Sequence, residues 1–535
     1  MNSCIADMRY AGKDSFPAAS IAADIISLSV NTGRSIEDIV ASRYPSFQNV
    51  VSDMIKVAVR YGIRKKEMNL MDFDDLLVRW YELLEMEQDI LEMYADNFLH
   101  VCVDEYQDTN IIQAKILDLL ASRNRNIMVV GDDSQSIYSF RGAEITNMMR
   151  FPQRYPDAKI FKLEINYRST PEILDFANRS IMMNTTQFQK ELRAVRMGGL
   201  RPVFVPVRDA MQQADFVSQH MIELADKGVP LDEMAVLYRA HYQSLELQME
   251  LVRRRIPFQL RSGIRFFEQA HVKDVTAFIK VIENPFDETA WLRLFLLCEK
   301  IGSRTAGRLW EKLRTEKEPL KAALNPDFIG TARPHARAGL TRVVETLSYL
   351  GGDAAGRRPD TVIRSILERY YGGYLERHYE DASSRKDDLI QLAGFSTRFE
   401  TLTDFLGELA LLTTISEEHD TRLNGEVKHA VILSSIHQAK GLEWSVVFLI
   451  GCSEGKIPLA RALKERGGED EERRLFYVAT TRAKDRLYFC HPLTDYSWKS
   501  TTHKMVAPSR FINELTLSSR GKRERILFDR WDVEE

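Results

Sequence analysis

The sequence predicts an α/β chain with two parallel-sheet domains and a largely helical domain inserted in the second. Three observations predict it. Between Phe98 and Leu200 short apolar runs alternate with helical stretches, the pattern of strands joined by crossover helices. Strand-like runs near Met234–Tyr238 and Val431–Ser434 then bracket a long section of helical periodicity. A length of 535 residues is too great for one ordinary core and favours several domains.

Residues 1–66 read as helical, because apolar residues recur at spacings of three and four from Ile21, Ile25 and Ile26 to Met54, Ile55 and Val59. Residues 67–168 carry the first set of strands: Phe98–Val103, Ile127–Val130 and Ala158–Leu163, each closing on polar or Gly residues. Residues 169–267 form the first segment of the second sheet domain, with strands near Val203–Val205 and Met234–Tyr238. The helical insertion occupies 268–427 and contains Gly351-Gly352 and Gly356-Arg357-Arg358-Pro359. Strands return at Val431–Ser434 and Val446–Ile450 within 428–516, and 517–535 is a tail. No repeat and no low-complexity tract interrupts this order.

Composition narrows the classes further. Apolar content of 44% and charged content of 28% suit a soluble globular protein, and no apolar run reaches the roughly 18 residues of a membrane span. The first residues lack a basic flank leading into an apolar core, so they make a poor secretion signal, and a cytoplasmic location is expected. The five cysteines show no C-x-x-C pair and read as reduced thiols. A net charge of −4 gives no global attraction to nucleic acid, so DNA binding would rest on local basic patches.

Chemistry concentrates at the ends of the strands, where parallel sheets place their functional residues. The run Val101–Val103 ends in Asp104-Glu105-Tyr106-Gln107-Asp108. One carboxylate, Asp104, suits a hydrated magnesium ion, and the next, Glu105, suits a water oriented for attack on a γ-phosphate. Taken alone, this pair is also a plain polar strand end. The next run leads into Gly131-Asp132-Asp133-Ser134-Gln135 and then Phe140-Arg141. Gln135 can sense a γ-phosphate by hydrogen bonding, Phe140 can stack on an unpaired base and Arg141 can meet DNA phosphate. A third run reaches Asn166-Tyr167-Arg168-Ser169-Thr170-Pro171. Tyr167 can stack on a purine and Arg168 offers a planar fork for phosphoryl oxygens, while Ser169 or Thr170 can cap the helix starting near Pro171.

Two further blocks lie far downstream. Ser434–Trp444 includes His437, Lys440, Gly441 and Glu443, and Glu443 can accept from a ribose hydroxyl. Glu471-Glu472-Arg473-Arg474 reads as a surface salt-bridge helix, and Arg482 ends that helical run. A single arginine aimed at a γ-phosphate stabilises transition-state charge.

These five blocks, in this order, resemble helicase motifs II to VI of the UvrD/PcrA/Rep family of superfamily 1, and the resemblance runs from about Asp72 onward. It extends to Ala235–Arg239 and Gly263–Glu268. The resemblance implies two RecA-like motor domains, ATP and magnesium as cofactors, and single-stranded and junction DNA as partners in repair or replication, with no membrane. It implies Asp104 at the metal, and Glu105, Arg168 and Arg482 as catalytic residues. Gln135, Tyr167 and Glu443 would bind nucleotide, and Phe140, Arg141 and His437 would contact DNA. A cytoplasmic, nucleoid-associated location follows from the same likeness. Lys300–Gly307 is similar to a helix-hairpin-helix turn that holds duplex phosphate, and a glycine helix stop explains the same residues equally well.

The family's G-x-x-x-x-G-K-[ST] phosphate loop has no match in the sequence; the nearest string, Asp7–Asp14, lacks the leading Gly and the closing Ser or Thr. The sequence is therefore expected to represent an N-terminally truncated helicase that hydrolyses little ATP alone. The alternatives are a non-catalytic DNA-binding or regulatory remnant, or half of a split enzyme completed by a P-loop-bearing chain. Other repair proteins would be further partners. A missing strand would also leave the first sheet with an open edge.

Overall fold

The computed structural model describes residues 1–8, 10, 16–261, 266–352, 358–410, 429–465, 467–497, 502–517 and 528–531. The chain divides into two compact units: Met1–Pro206 with Ile436–His491 and Ala507–Glu535, and Val207–Ser435 with Pro492–Val506. The strings Asp7–Asp14, Gly263–Glu268 and Gly356–Pro359, together with most of the tail, lie partly outside the described residues.

The first unit opens with the short helix Asn2–Asp7, followed by helices Ala19–Thr32, Ile36–Arg43 and Val51–Glu67. Ser35 starts Ile36–Arg43 by accepting from the Asp38 N–H, satisfying an amide the helix itself cannot. Their apolar faces meet in a core around Ile21, Ile25, Leu28, Val40 and Val57. Two capping boxes then fix helix starts, Asp72 with Asp75 before Phe73–Met86 and Asn110 with Gln113 before Ile111–Leu120.

Strands Val101–Val103 and Ile127–Val129 pair in parallel, with Cys102 opposite Met128. Val103, Ile127 and Val129 pack on Tyr106, Phe151 and Tyr155, whereas Cys102 and Met128 are exposed. The third expected strand is corrected. Ala158–Leu163 forms no strand, and Phe161 and Leu163 are 82% and 85% exposed. The strand is instead Ile165–Asn166, paired with Arg193–Ala194. An apolar run makes a strand only where a neighbour supplies its ladder, and among the described residues Glu164, not Ala158–Leu163, begins that pairing by accepting from the Arg193 N–H at 2.7 Å. Trp444–Leu449 runs parallel to Ala483–Pro492, and Val203–Val207 parallel to Asp529–Arg530. Helix Gly468–Thr480 is buried along most of its length.

In the second unit Val431–Ser435 lies between Met234–Tyr238 and Phe258–Leu260, all parallel. Met234–Tyr238 is buried at every residue, as expected of a parallel strand covered on both faces. Helices from Ala270–Glu283 to Ala382–Ser396 share a core that includes Trp291, Phe295, Leu340, Tyr371 and Leu392. Gly302 precedes the helix Ser303–Leu313, within the Lys300–Gly307 string.

The fold is thus mixed α/β, with parallel strands and many helices. No helix among the described residues is long and apolar enough to cross a membrane.

Candidate functional site

The expected site residues all belong to the first unit, and all but Tyr167 gather into three clusters. The carboxylate cluster sits at the end of Val101–Val103. Asp104 is exposed and its Oδ1 accepts from the Glu105 N–H at 2.8 Å. Glu105 adopts a left-handed backbone at φ 50°, a conformation unfavourable for a side chain with a Cβ and more frequent at functional turns. Gln107, fully buried, donates to Glu105 Oε2 and accepts from the Asp132 N–H at 3.0 Å. Asp132 in turn accepts from Gln135 Nε2 at 2.8 Å and from Lys190. Burial alone would depress the Lys190 ammonium, and Asp132 and Asp133 outweigh it, so its pKa is raised.

Lys440 closes this cluster from far along the chain. Its ammonium donates to Asp108 Oδ2 at 2.6 Å and to the Gln135 carbonyl at 3.0 Å, and lies 3.3 Å from Glu105 Oε2. Burial pushes the Asp108 carboxyl upward against the opposing pull of Lys440.

The arginine cluster joins Arg168, Glu443 and Arg482. Arg168 Nε donates to Glu443, and its Nη1 reaches the Thr481 carbonyl at 3.3 Å. That hydrogen bond holds Glu443 below the usual carboxylate range. Arg482 is 2% exposed and donates to the Val478 and Leu442 carbonyls at 3.0 and 3.1 Å. Burial, followed by the charge of nearby Arg168, lowers its pKa to about 10. Two guanidinium groups close enough to repel, one of them desolvated, form a seat that an anion relieves.

The third cluster is aromatic. Phe140 is half-exposed, and its ring meets His437 edge-on at 5.3 Å. The Arg141 guanidinium lies 5.5 Å from the Phe140 ring centre. Tyr138 donates its hydroxyl to the His437 carbonyl at 3.2 Å. Tyr167 joins none of these groups and is exposed.

One segment ties the clusters together. His437 reaches the aromatic cluster, Lys440 the carboxylates and Glu443 the arginines, so three side chains spaced three apart touch all three.

The reading of Glu471–Arg474 as a surface salt-bridge helix is corrected. Glu472, Arg473 and Arg474 are buried, and Glu472 accepts from the Leu459 N–H. Arg473 pairs with Glu514, and Arg474 Nε donates to the Ser136 carbonyl at 2.8 Å. Each charge has a fixed partner supplied by tertiary structure, which is how charged groups become buried. Sequence reasoning also passed over Gln107, Asp108, Lys190 and Lys440. The available signal for Lys440 was its being the sole cation between Ser434 and Leu442.

No group of three or more His, Cys, Asp or Glu among the described residues could hold a metal ion as a cage. A single exposed Asp104 at a strand end still fits magnesium, which keeps several waters and binds through one or two carboxylates plus phosphate oxygens.

Residues 21–156 match the UvrD/REP helicase N-terminal domain, and residues 161–334 and 366–492 match the UvrD-like helicase C-terminal domain. The chain is similar to DNA helicase II of Haemophilus influenzae, at 33% identity over 86% of this chain and 64% of the relative. It is similar to the ATP-dependent DNA helicase PcrA of Leuconostoc citreum and of Bacillus subtilis, at 31% identity over 88% of this chain and 64% of each relative. The chain therefore spans about two-thirds of the length of these relatives, 64%. With its larger domain match covering both strand-bearing and helical segments of the chain, the protein belongs to the UvrD/REP helicase family.

Proposed function

We propose that the protein is an ATP-driven 3′-to-5′ DNA helicase and translocase of the UvrD type, acting in DNA repair or replication in the cytoplasm, at the nucleoid. The observation that carries this reading is the segment 437–443, which links an aromatic pair suited to bases, a carboxylate pair suited to a metal-bound phosphate and a guanidinium pair suited to an anion. Binding of bases and binding of a nucleotide are thereby coupled in one piece of backbone. The proposed domain divisions are those expected from sequence, with motor domains at 67–168 and at 169–267 joined by 428–516, and the insertion at 268–427.

Magnesium bound with the nucleotide would neutralise charge on the phosphates and stabilise the transferred group. Asp104 would hold it. Glu105 would orient the attacking water, accepting its proton. Arg168 and Arg482 would bind the γ-phosphate, and Gln135 would report its presence to the loop that ends at Phe140. Glu443 and Tyr167 would hold ribose and adenine. Phe140, Arg141 and His437 would grip single-stranded or junction DNA.

The absence of a G-x-x-x-x-G-K-[ST] string from these 535 residues favours a second reading for the chain taken alone, a DNA-binding protein without turnover. That string supplies the backbone amides and lysine charge that phosphates require. One experiment separates the readings. ATP hydrolysis is measured for the purified chain and for the same chain fused to a P-loop-bearing N-terminal segment of a UvrD-type relative, with and without single-stranded DNA. The chain alone is expected to be silent. The fusion is expected to show DNA-stimulated hydrolysis that Glu105→Gln lowers by roughly 10²- to 10⁴-fold. A folded fusion without such hydrolysis overturns the helicase reading, and Glu105-dependent turnover by the chain alone overturns its expected silence.

A further inference from the structure

We infer that Lys440 is a positioning residue that couples DNA at Phe140 and His437 to the Glu105 carboxylate; the inference rests on the helicase reading above. Lys440 is tightly held. Its side chain is 7% exposed, whereas that of Glu105 is 60% exposed. Its ammonium reaches Asp108 Oδ2, the Gln135 carbonyl and Glu105 Oε2, and lies 5.2 Å from the centre of the Tyr138 ring. The same Glu105 oxygen accepts from Gln107. The carboxylate that would orient water is therefore already engaged by two donors.

Tyr138 supplies the mechanical link. Its ring faces the Lys440 ammonium and its hydroxyl donates to the carbonyl of His437. The His437 ring in turn packs edge-on against Phe140. A base that stacks on Phe140 meets the His437 ring beside it, and a shift of the His437 backbone to make room is passed to the Tyr138 hydrogen bond and to Lys440 three residues on. A nearly buried ammonium does not drift by small steps, because leaving its acceptors exposes unpaired charge on both sides. The arrangement has two states: Lys440 on Asp108 and Glu105 without DNA, and Lys440 withdrawn, with Glu105 released to orient water, when DNA is bound.

Coupling of this kind is reciprocal. If DNA draws Lys440 off its carboxylates, weakening those contacts must favour DNA to the same extent. The test is the affinity of the whole 535-residue chain for a fluorescein-labelled oligothymidylate of about 16 nucleotides, read by anisotropy. Asp108→Asn and Glu105→Gln each remove an anchor of Lys440. Glu144→Gln removes one negative charge just after Phe140 and Arg141, at a side chain that accepts from the Thr146 N–H and not from Lys440, and so measures general electrostatics. Asp108→Asn and Glu105→Gln are expected to tighten binding by about fivefold or more, with Glu144→Gln at wild-type affinity. Damage to the fold lowers affinity and cannot imitate that gain. Unchanged or weakened binding by Asp108→Asn overturns the coupling, as does equal tightening by Glu144→Gln. A wild-type chain that binds while Asp108→Asn gains nothing sinks the coupling alone; a folded wild-type chain with no affinity for the oligonucleotide sinks the helicase reading and the coupling with it.

Discussion

Arg482 sets burial against charge within a single side chain. Burial and Arg168 bring its pKa down to about 10, which still leaves the guanidinium protonated at neutral pH, and the Val478 and Leu442 carbonyls and the Thr481 hydroxyl accept from it. A lysine there keeps the charge but loses the planar fork that reaches three acceptors at once. Arg482→Lys is therefore expected to cost about 1–3 kcal/mol of stability in urea unfolding, and an unchanged midpoint and slope would show that the fork is not needed. His491 presents the opposite case, a base kept neutral. It is fully buried, with Nδ1 3.0 Å from Ser453 Oγ, and burial followed by the charge of Lys456 lowers its pKa to about 4. The unfolded chain, with an ordinary histidine near 6.5, takes up this proton earlier than the folded one. Stability from this residue is thus complete above pH 6.5 and is lost as pH falls toward 4, by on the order of 3 kcal/mol. Thermal melts from pH 7 to pH 4 should fall more steeply for the wild type than for His491→Asn, and parallel curves would refute the assignment.

Glycines show where whole elements come too close for a side chain. A Cβ on Gly131 would stand 2.5 Å from Gln107 Oε1 and 3.2 Å from Met148 Sδ. Gly131→Ala would push Gln107 off the Asp132 amide and loosen the loop carrying Gln135. In the second unit, a Cβ on Gly394 would meet Tyr496 Cβ at 2.8 Å and its Cγ at 3.0 Å, where helix Ala382–Ser396 packs on the hairpin Thr494–Ser497 with Thr502–Met505. Each substitution is expected to cost about 1–3 kcal/mol through overpacking, and melts of the two variants check it; a neutral result means that the facing side chain has room to turn. The same scale explains what the sequence disclosed. The strand end at Val103 was legible, and that at Val129 to within one residue, because an apolar run closing on Asp or Gly has few other readings. Ala158–Leu163 misled because apolar content says nothing about whether a ladder partner is present. Glu472–Arg474 misled for a related reason: the partners Leu459, Glu514 and Ser136 are distant in sequence, so local pattern describes only a charged helix. The site residues could be named one by one, but the bridge through Lys440 depends on a turn that brings position 440 to positions 105, 108 and 135, which no local pattern encodes.

For the molecule as a whole, the surface of the first unit is the unusual feature. Parallel sheets are ordinarily covered on both faces. Here one face of the Val101–Val103 and Ile127–Val129 pair buries Val103, Ile127 and Val129 in part, while Cys102 and Met128 opposite them are open. Leu99, Val130, Ile160, Phe161, Leu163 and Ile165 are exposed as well. Exposed apolar side chains beside a two-stranded parallel edge invite pairing between copies of the chain. Charge is the natural countermeasure, and the positions that accept it at least cost are those making no ladder. Phe161 and Leu163 lie outside any strand, so Phe161→Lys with Leu163→Lys is expected to change stability by no more than about 0.5 kcal/mol per site. Self-association, followed by light scattering as concentration rises, is expected to fall, because like charges on every copy oppose approach and the apolar area available for contact shrinks. The same pair of substitutions placed in Met234–Tyr238, where each side chain is buried, would unfold the second unit. Undiminished scattering with an unchanged melting temperature would mean that association uses another surface, and a lower melting temperature would mean that Phe161 and Leu163 contribute to packing.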